Sequence, residues 1–106
     1  MIKLVISKDF TETPGARFII EGSYSGEEFR NDFLEPKYLE AKIKKEKLVI
    51  DFDGGYGYAT SFLEEAFGGL ARKYDEKEIK EVLEFKSDDE PSLIFDIIDY
   101  IKNARN

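Results

Sequence analysis

The stretch KLVIDFD, residues 47–53, runs Leu48, Val49 and Ile50 together without a polar residue between them and continues through Phe52. A strand with one wet face alternates apolar and polar side chains, and this one does not. It is therefore expected at the centre of a sheet, covered on both faces. The residues after it narrow the choice further. Phe62, Leu63, Ala66, Phe67, Leu70, Ala71 and Tyr74 recur at three- and four-residue steps, so they fall along one stripe of a helix. A buried strand that hands over to an amphipathic helix is the first half of a crossover unit, and such units build α/β folds with at least partly parallel sheets.

The flanking periodicities fit that plan. Ile2, Leu4 and Ile6 alternate as a strand, TETPGA reads as a turn through its Pro-Gly pair, and RFIIEG, residues 17–22, reads as a second short strand. Ser25 and Glu28 stand three apart as a capping box, with Tyr24 and Phe29 placed as a hydrophobic staple, and mark a helix start. Pro36 is expected to break that helix, with KYLEAKI adding a turn or two beyond it. Asp75 caps a short helix, LEFKS is a strand with Leu83 and Phe85 inward, and Pro91 opens the last helix. The predicted order is β-β-α-β-α-(α)-β-α. It describes one α/β domain over residues 1–106, a four- to five-stranded mixed sheet packed with about four helices. Gly68 and Gly69 each cost the long helix about 1 kcal/mol relative to alanine, so a close backbone approach to the sheet or to a partner is expected there.

Composition excludes several chemistries. A chain of 106 residues closes one core, and with neither histidine nor cysteine it lacks imidazole bases, thiol nucleophiles and disulfides. The net charge of −7 is spread along the chain, and the only basic run, KIKKEK at Lys42 to Lys47, reads as a solvated turn. Nucleic acid is not an expected partner. No apolar run approaches the roughly 20 residues that span a bilayer, and MIKLVISKDF reads as a strand and not as a signal peptide. A cytoplasmic location with no membrane contact is expected, and no metal or cofactor.

Two local patterns offer chemistry. IDFDGG resembles the opening motif of haloacid-dehalogenase-like phosphatases, in which paired aspartates at a strand end attack phosphorus and transfer protons beside magnesium. Asp51 and Asp53 have the required spacing, but Gly55 stands where that motif carries Thr or Val, and the lysine and acidic pair it needs are met at most by Asp88 and Asp89. GGYGYAT lacks the lysine of a P-loop, and Thr60 replaces the last small residue of a dinucleotide fingerprint. A phosphate- or nucleotide-handling site built from Asp51, Asp53, Gly54 and Gly55 thus stays as the alternative. Tyr56 and Tyr58 alternate with the glycines and are expected to stand out of the loop, available to a partner or small ligand.

PGARF, EGSYSGEEFR and LVIDFDGGYGYATSFLEEAFGGL, in that order and spacing, resemble a STAS-like family of unknown function related to the STAS domains of anti-sigma-factor antagonists. In those antagonists a buried strand runs through a loop into a helix whose start displays a serine or threonine that a partner kinase phosphorylates. Aligned on LVID, that position falls on Ser61, with Thr60 before it. Ala59 and Phe62 stand where antagonists carry Asp and Gly. The resemblance implies a regulatory, non-enzymatic module that docks a protein partner, of the GHKL-type ATPase or switch-kinase class, around Ser61. Helix capping competes for the same residues, because Ser61 and Glu64 form a second capping box and Glu65 adds charge to the first turn. Arg17 and Arg30 match arginines of the family. They are expected to brace the sheet, face a ligand, or pair locally in solvent.

Overall fold

The computed structural model describes residues 1–105. At its centre lies β2 (Leu48–Asp51), flanked by β1 (Ile2–Val5) and β3 (Leu83–Lys86). All three run parallel in the order β1-β2-β3, with Ile2 and Leu83 on either side of Leu48 and Leu4 and Phe85 on either side of Ile50. The sheet of the described residues is thus three-stranded and parallel, where four or five mixed strands were expected.

The missing strand is RFIIEG, and its backbone shows why. Ile19–Glu21 is a single 3₁₀ turn, and Phe18 and Ile19 give their N–H groups to the carboxylates of Glu21 and Glu27, at 2.9 Å each. Local acceptors have taken the donors that a ladder would use. The edge of β1 is closed as well. Asp9 accepts from Val5 N at 2.8 Å, and the chain turns through a π turn at Ile6–Phe10.

Four helical runs of the described residues cover the sheet. α1 spans 26–44, α2 spans 60–73, α3 is Glu76–Val82 and α4 is Leu93–Lys102. Ser25 caps α1 as expected, its Oγ accepting from Glu28 N at 3.0 Å. The Glu28 carboxylate reaches back to Tyr24 N, and Phe10 sits between Tyr24 and Phe29 in the staple. Pro36 does not break this helix. The turn just before it, Arg30–Leu34, widens to π geometry, with Glu35 N bonding to Arg30 O, and the chain continues helical to Lys44. A widened turn relieves the clash that a proline ring otherwise makes with the carbonyl four residues back. Asp75 caps α3 as expected, accepting from Glu78 N.

The core lies on one side of the sheet. Leu4, Leu48, Ile50 and Leu83 face Phe29, Phe62, Phe67 and Leu70 in one buried cluster that runs from Leu4 to Ala104. The predicted α2 stripe is buried as expected, with Tyr74 half-buried at its end. The other face of the sheet carries Lys3, Val5, Val49, Asp51, Glu84 and Lys86; Lys3 and Glu84 on the flanking strands are exposed, while all four residues of β2 are buried, as expected of a central strand. Strand order places the crossovers: those of one hand that step β1 to β2 to β3 deposit their helices on the same face. Val49 lacks alternation because it lies in the middle strand, flanked in register by Lys3 and Glu84, and its neighbours exclude water from it. α1 and α2 meet at Gly26, where any Cβ would strike the Phe62 backbone carbonyl. No helix among the described residues is long and apolar enough to cross a membrane.

Candidate functional site

In open α/β sheets the crevice outside the carboxyl ends of the strands is the usual place for a site. Here the β2–α2 loop, 52–59, lies beside the β3–α4 turn, 87–92, and side chains sew the two together. Asp51 Oδ1 accepts from Asp53 N at 2.9 Å, which turns the chain out of β2. The Asp53 carboxylate accepts from Asp89 N (2.9 Å), Asp88 N (3.1 Å) and Lys86 Nζ (2.7 Å), and Asp89 in turn accepts from Gly54 N at 3.1 Å. The Asp89 and Asp88 amides and the Lys86 ammonium hold the Asp53 carboxyl down to about 2, and the same ion pairs, Asp53 first and then Asp88, push Lys86 up. Both oxygens of Asp53 are therefore occupied as structural acceptors, and Asp51 lies 12% exposed with Lys86 at 3.9 Å.

The loop itself needs its glycines. Gly54 (φ 91°) and Gly57 (φ 117°) take left-handed angles, and Gly55 lies against the Glu12 carbonyl that receives Tyr56 N. Tyr58 does not stand out of the loop. It turns inward, packs on Phe52 and Phe62, and donates its hydroxyl to Phe52 O at 3.0 Å. Burial, with the charges of Asp51 and Asp53, pushes its phenol well above the usual value. Tyr56 does stand out, 84% exposed. Between loop and turn is a cleft of about 200 Å³ walled by Phe52, Tyr56, Tyr58, Asp89, Glu90 and Leu93.

The helix beyond begins two residues earlier than the capping reading requires. Ala59 is the N-cap residue (φ −75°, ψ 146°), Thr60 is the first helical residue, and no side chain caps the turn. Ser61 stands second in the helix, where its Oγ makes no capping bond, so the Ser61–Glu64 capping box does not form. Thr60 is exposed and Ser61 half-exposed on a first turn whose N–H groups meet no side-chain acceptor.

Glu64 is engaged elsewhere, in a network that ties α2 to its neighbours. Its carboxylate takes Arg17 Nη1 at 2.5 Å and Arg72 Nη1 at 2.8 Å, and Glu65 takes Arg17 at 3.3 Å and Arg30 at 2.6 Å. Arg30 Nη1 also donates to the Glu65 carbonyl at 2.6 Å. That carbonyl belongs to a π turn, Glu64–Gly68, which loosens the helix where the guanidinium enters. Arg17 and Arg30 thus brace the helix, and their hydrogen bonds go to Glu64 and Glu65 and not to the sheet or the Asp51–Gly55 loop. The paired glycines are explained here too. Gly68 makes room for Glu64 and Arg72, and Gly69 for Arg30, so the close approach is to charged side chains and not to the sheet.

A family model described as a STAS-like domain of unknown function (DUF4325) matches residues 25–93. The chain belongs to that family. No curated protein and no solved structure matches it. The matched span of this STAS-like domain begins at the cap of α1 and ends at the first residue of α4. It contains Asp51, Asp53, the glycine loop, Ser61 and both walls of the cleft.

Sequence reasoning missed Lys86 and Arg72 as members of this site, and met Asp89 only as half of a possible acidic pair and Glu65 only as a first-turn charge. For Glu65 a signal existed, a carboxylate three residues after Phe62 on the edge of the buried stripe. For the anchoring role of Asp89 there was none, because that role is a bond to a backbone amide 35 positions away. Among the described residues no three carboxylates come together as a metal site.

Proposed function

We propose that this STAS-like domain is a non-enzymatic, regulatory interaction module of the cytoplasm that docks a protein partner on the loop 54–59 and the helix start 60–65. The observation that carries the reading is the uncapped first turn of α2. Exposed Thr60 and half-exposed Ser61 stand there on a 14-residue helical run, beside Tyr56, which is 84% exposed. Free N–H groups and the positive end of the helix favour a phosphate or a partner carboxylate at that turn. A phosphoryl group on Ser61 would suit the monomer while changing the charge of any surface docked on it. The family's relation to anti-sigma-factor antagonists points to a GHKL-type ATPase or switch kinase as the partner class.

The phosphate- or nucleotide-handling alternative draws less support. As the acid/base of that pair Asp53 would have to give up bonds to Asp88, Asp89 and Lys86, and the cleft is smaller than the roughly 300–1,000 Å³ of ordinary small-molecule sites.

The test is affinity capture from the native host with wild type, Ser61→Ala and Ser61→Asp as bait, followed by dissociation constants for the captured ATPase. Ser61→Asp is expected to change affinity by about tenfold, or 1.4 kcal/mol, with Ser61→Ala close to wild type. Equal affinities for all three would remove Ser61 from the docking face.

A further inference from the structure

The cleft has features that the docking reading alone does not use. Its floor is apolar, since Phe52 and Leu93 are almost fully buried and Tyr58 packs edge-on against Phe52. At its mouth Tyr56 is flanked by Gly55 and Gly57 and contacts no other ring, so the fold gains nothing visible from an aromatic residue there. Its rim carries Asp89 and Glu90. Asp89 uses one oxygen on Gly54 N, while its other oxygen and the Glu90 carboxylate have no hydrogen bond or ion pair among the described residues.

Charge decides what such a cleft attracts. Asp51, Asp53, Asp88, Asp89 and Glu90 cluster at this end of the sheet against Lys86 alone, and that ammonium is held by Asp53 (2.7 Å), Asp88 (3.0 Å) and Asp51 (3.9 Å). A phosphate or carboxylate would enter against this field. A hard metal ion would lack its ligand set, because the carboxylates do not converge. A long-stemmed organic cation meets every feature. Its methylenes would lie on Phe52 and Leu93, its charge over the Tyr56 face, and its donors against Asp89 and Glu90. A planar guanidinium, which stacks on aromatic rings and forks to carboxylates, fits this better than a compact ammonium. A volume of about 200 Å³ suits one side chain and not a nucleotide.

We propose that the cleft between loop 54–58 and the turn before α4 receives one arginine side chain of the protein that docks on this domain. This rests on the docking reading above, and it specifies a partner with an arginine projecting beside its contact with α2.

The test uses the full 106-residue chain, ¹⁵N-labelled, titrated with Nα-acetyl-arginine amide, with Nα-acetyl-norleucine amide as the uncharged stem and with inorganic phosphate. Saturable shifts are expected at Tyr56, Gly57, Tyr58 and Glu90 with the arginine amide alone, in the millimolar range. Glu90→Gln and Tyr56→Ala should each weaken this binding about two- to fivefold, the scale of exposed charge and cation–π contacts. Glu90 and Tyr56 are exposed and bear no core contact, so both variants should fold, and an unchanged ¹⁵N spectrum elsewhere checks this. Absence of saturable shifts, equal shifts with norleucine amide, or a preference for phosphate would each overturn the proposal. The titration needs no partner. Its failure with partner capture intact removes the arginine cleft and leaves the docking face, whereas loss of partner capture with the titration intact removes the docking reading.

Discussion

Alanine for glycine inside a helix ordinarily stabilises by about 1 kcal/mol, and at Gly69 the structure reverses that sign. A Cβ there would collide with Arg30 Nη1 and come within 3.0 Å of its Cζ and 3.1 Å of its Cδ. Arg30 has little room to move. Its side chain is 12% exposed, its Nη1 donates to the carbonyl and the carboxylate of Glu65 at 2.6 Å, and its Nε is already buried without a partner. Overpacking costs about 1–3 kcal/mol and weakening a charged hydrogen bond about 1.5–3; against the propensity gain of about 1, Gly69→Ala should lose about 1.5–5 kcal/mol. Gly68→Ala is the internal control. Its Cβ meets the ends of Glu64 and Arg72, which are 26% and 40% exposed and can swing away. Disturbing that ion pair costs about 0.2–1 kcal/mol, so Gly68→Ala should stay within about 1 kcal/mol of wild type.

Urea unfolding followed by circular dichroism measures both, with the midpoint reporting stability as long as the slope is unchanged. Arg30→Met provides the decisive background, because it removes the guanidinium and leaves Arg17 on Glu65. There Gly69→Ala should regain stability. A Gly69→Ala midpoint at or above wild type, or the same penalty persisting in the Arg30→Met background, would refute the packing argument.

Two further outcomes are expected. Ala59 already has the extended backbone of an N-cap residue, so Ala59→Asp should stabilise the domain by about 0.5–2 kcal/mol, whereas Ser61→Ala should change stability by less than about 0.5 kcal/mol. Denaturant melts check both, and a loss of about 1 kcal/mol at Ser61→Ala would show that Ser61 caps the helix after all. The pH dependence follows from Asp53, whose carboxyl is held at about 2 against an ordinary value of 3.8. A depressed carboxyl binds fewer protons folded than unfolded, so its contribution is fully present above about pH 4 and is lost as pH falls towards 2. Wild type should therefore lose stability more steeply than Asp53→Asn across that window, and identical slopes would show that Asp53 is not anchored.

Much of the architecture was legible because it is periodic. The α2 stripe, the buried β2 strand, the inward Leu83 and Phe85, and the caps at Ser25 and Asp75 are all local patterns that the structure keeps. The failures share one cause, competition between a local pattern and a partner that sequence does not display. RFIIEG has the branched and aromatic residues of a strand, yet Glu21 and Glu27 occupy its amides, and Phe18, Ile19 and Ile20 are left in solvent. Pro36 has the signature of a breaker, but one widened turn is enough to absorb it.

At the site, spacing located the residues but not their work. Asp51 and Asp53 lie two apart at a strand end, which is the geometry of a catalytic pair, and the same geometry places two acceptors where a parallel strand leaves its sheet. Which use prevails depends on the amides nearby. The β3–α4 turn brings Asp88 N and Asp89 N to Asp53, and Asp89 answers with its carboxylate on Gly54 N. These bonds join positions 35 and 36 apart, so no local pattern announces them. Their consequence reaches the helix start. With the loop tied at Gly54 by Asp89, at Tyr56 by the Glu12 carbonyl and at Tyr58 by the Phe52 carbonyl, Tyr56 and the first turn of α2 stand on a fixed support. A surface held in place loses little entropy when a partner binds, so two aspartates used as anchors would favour binding at the docking face proposed above.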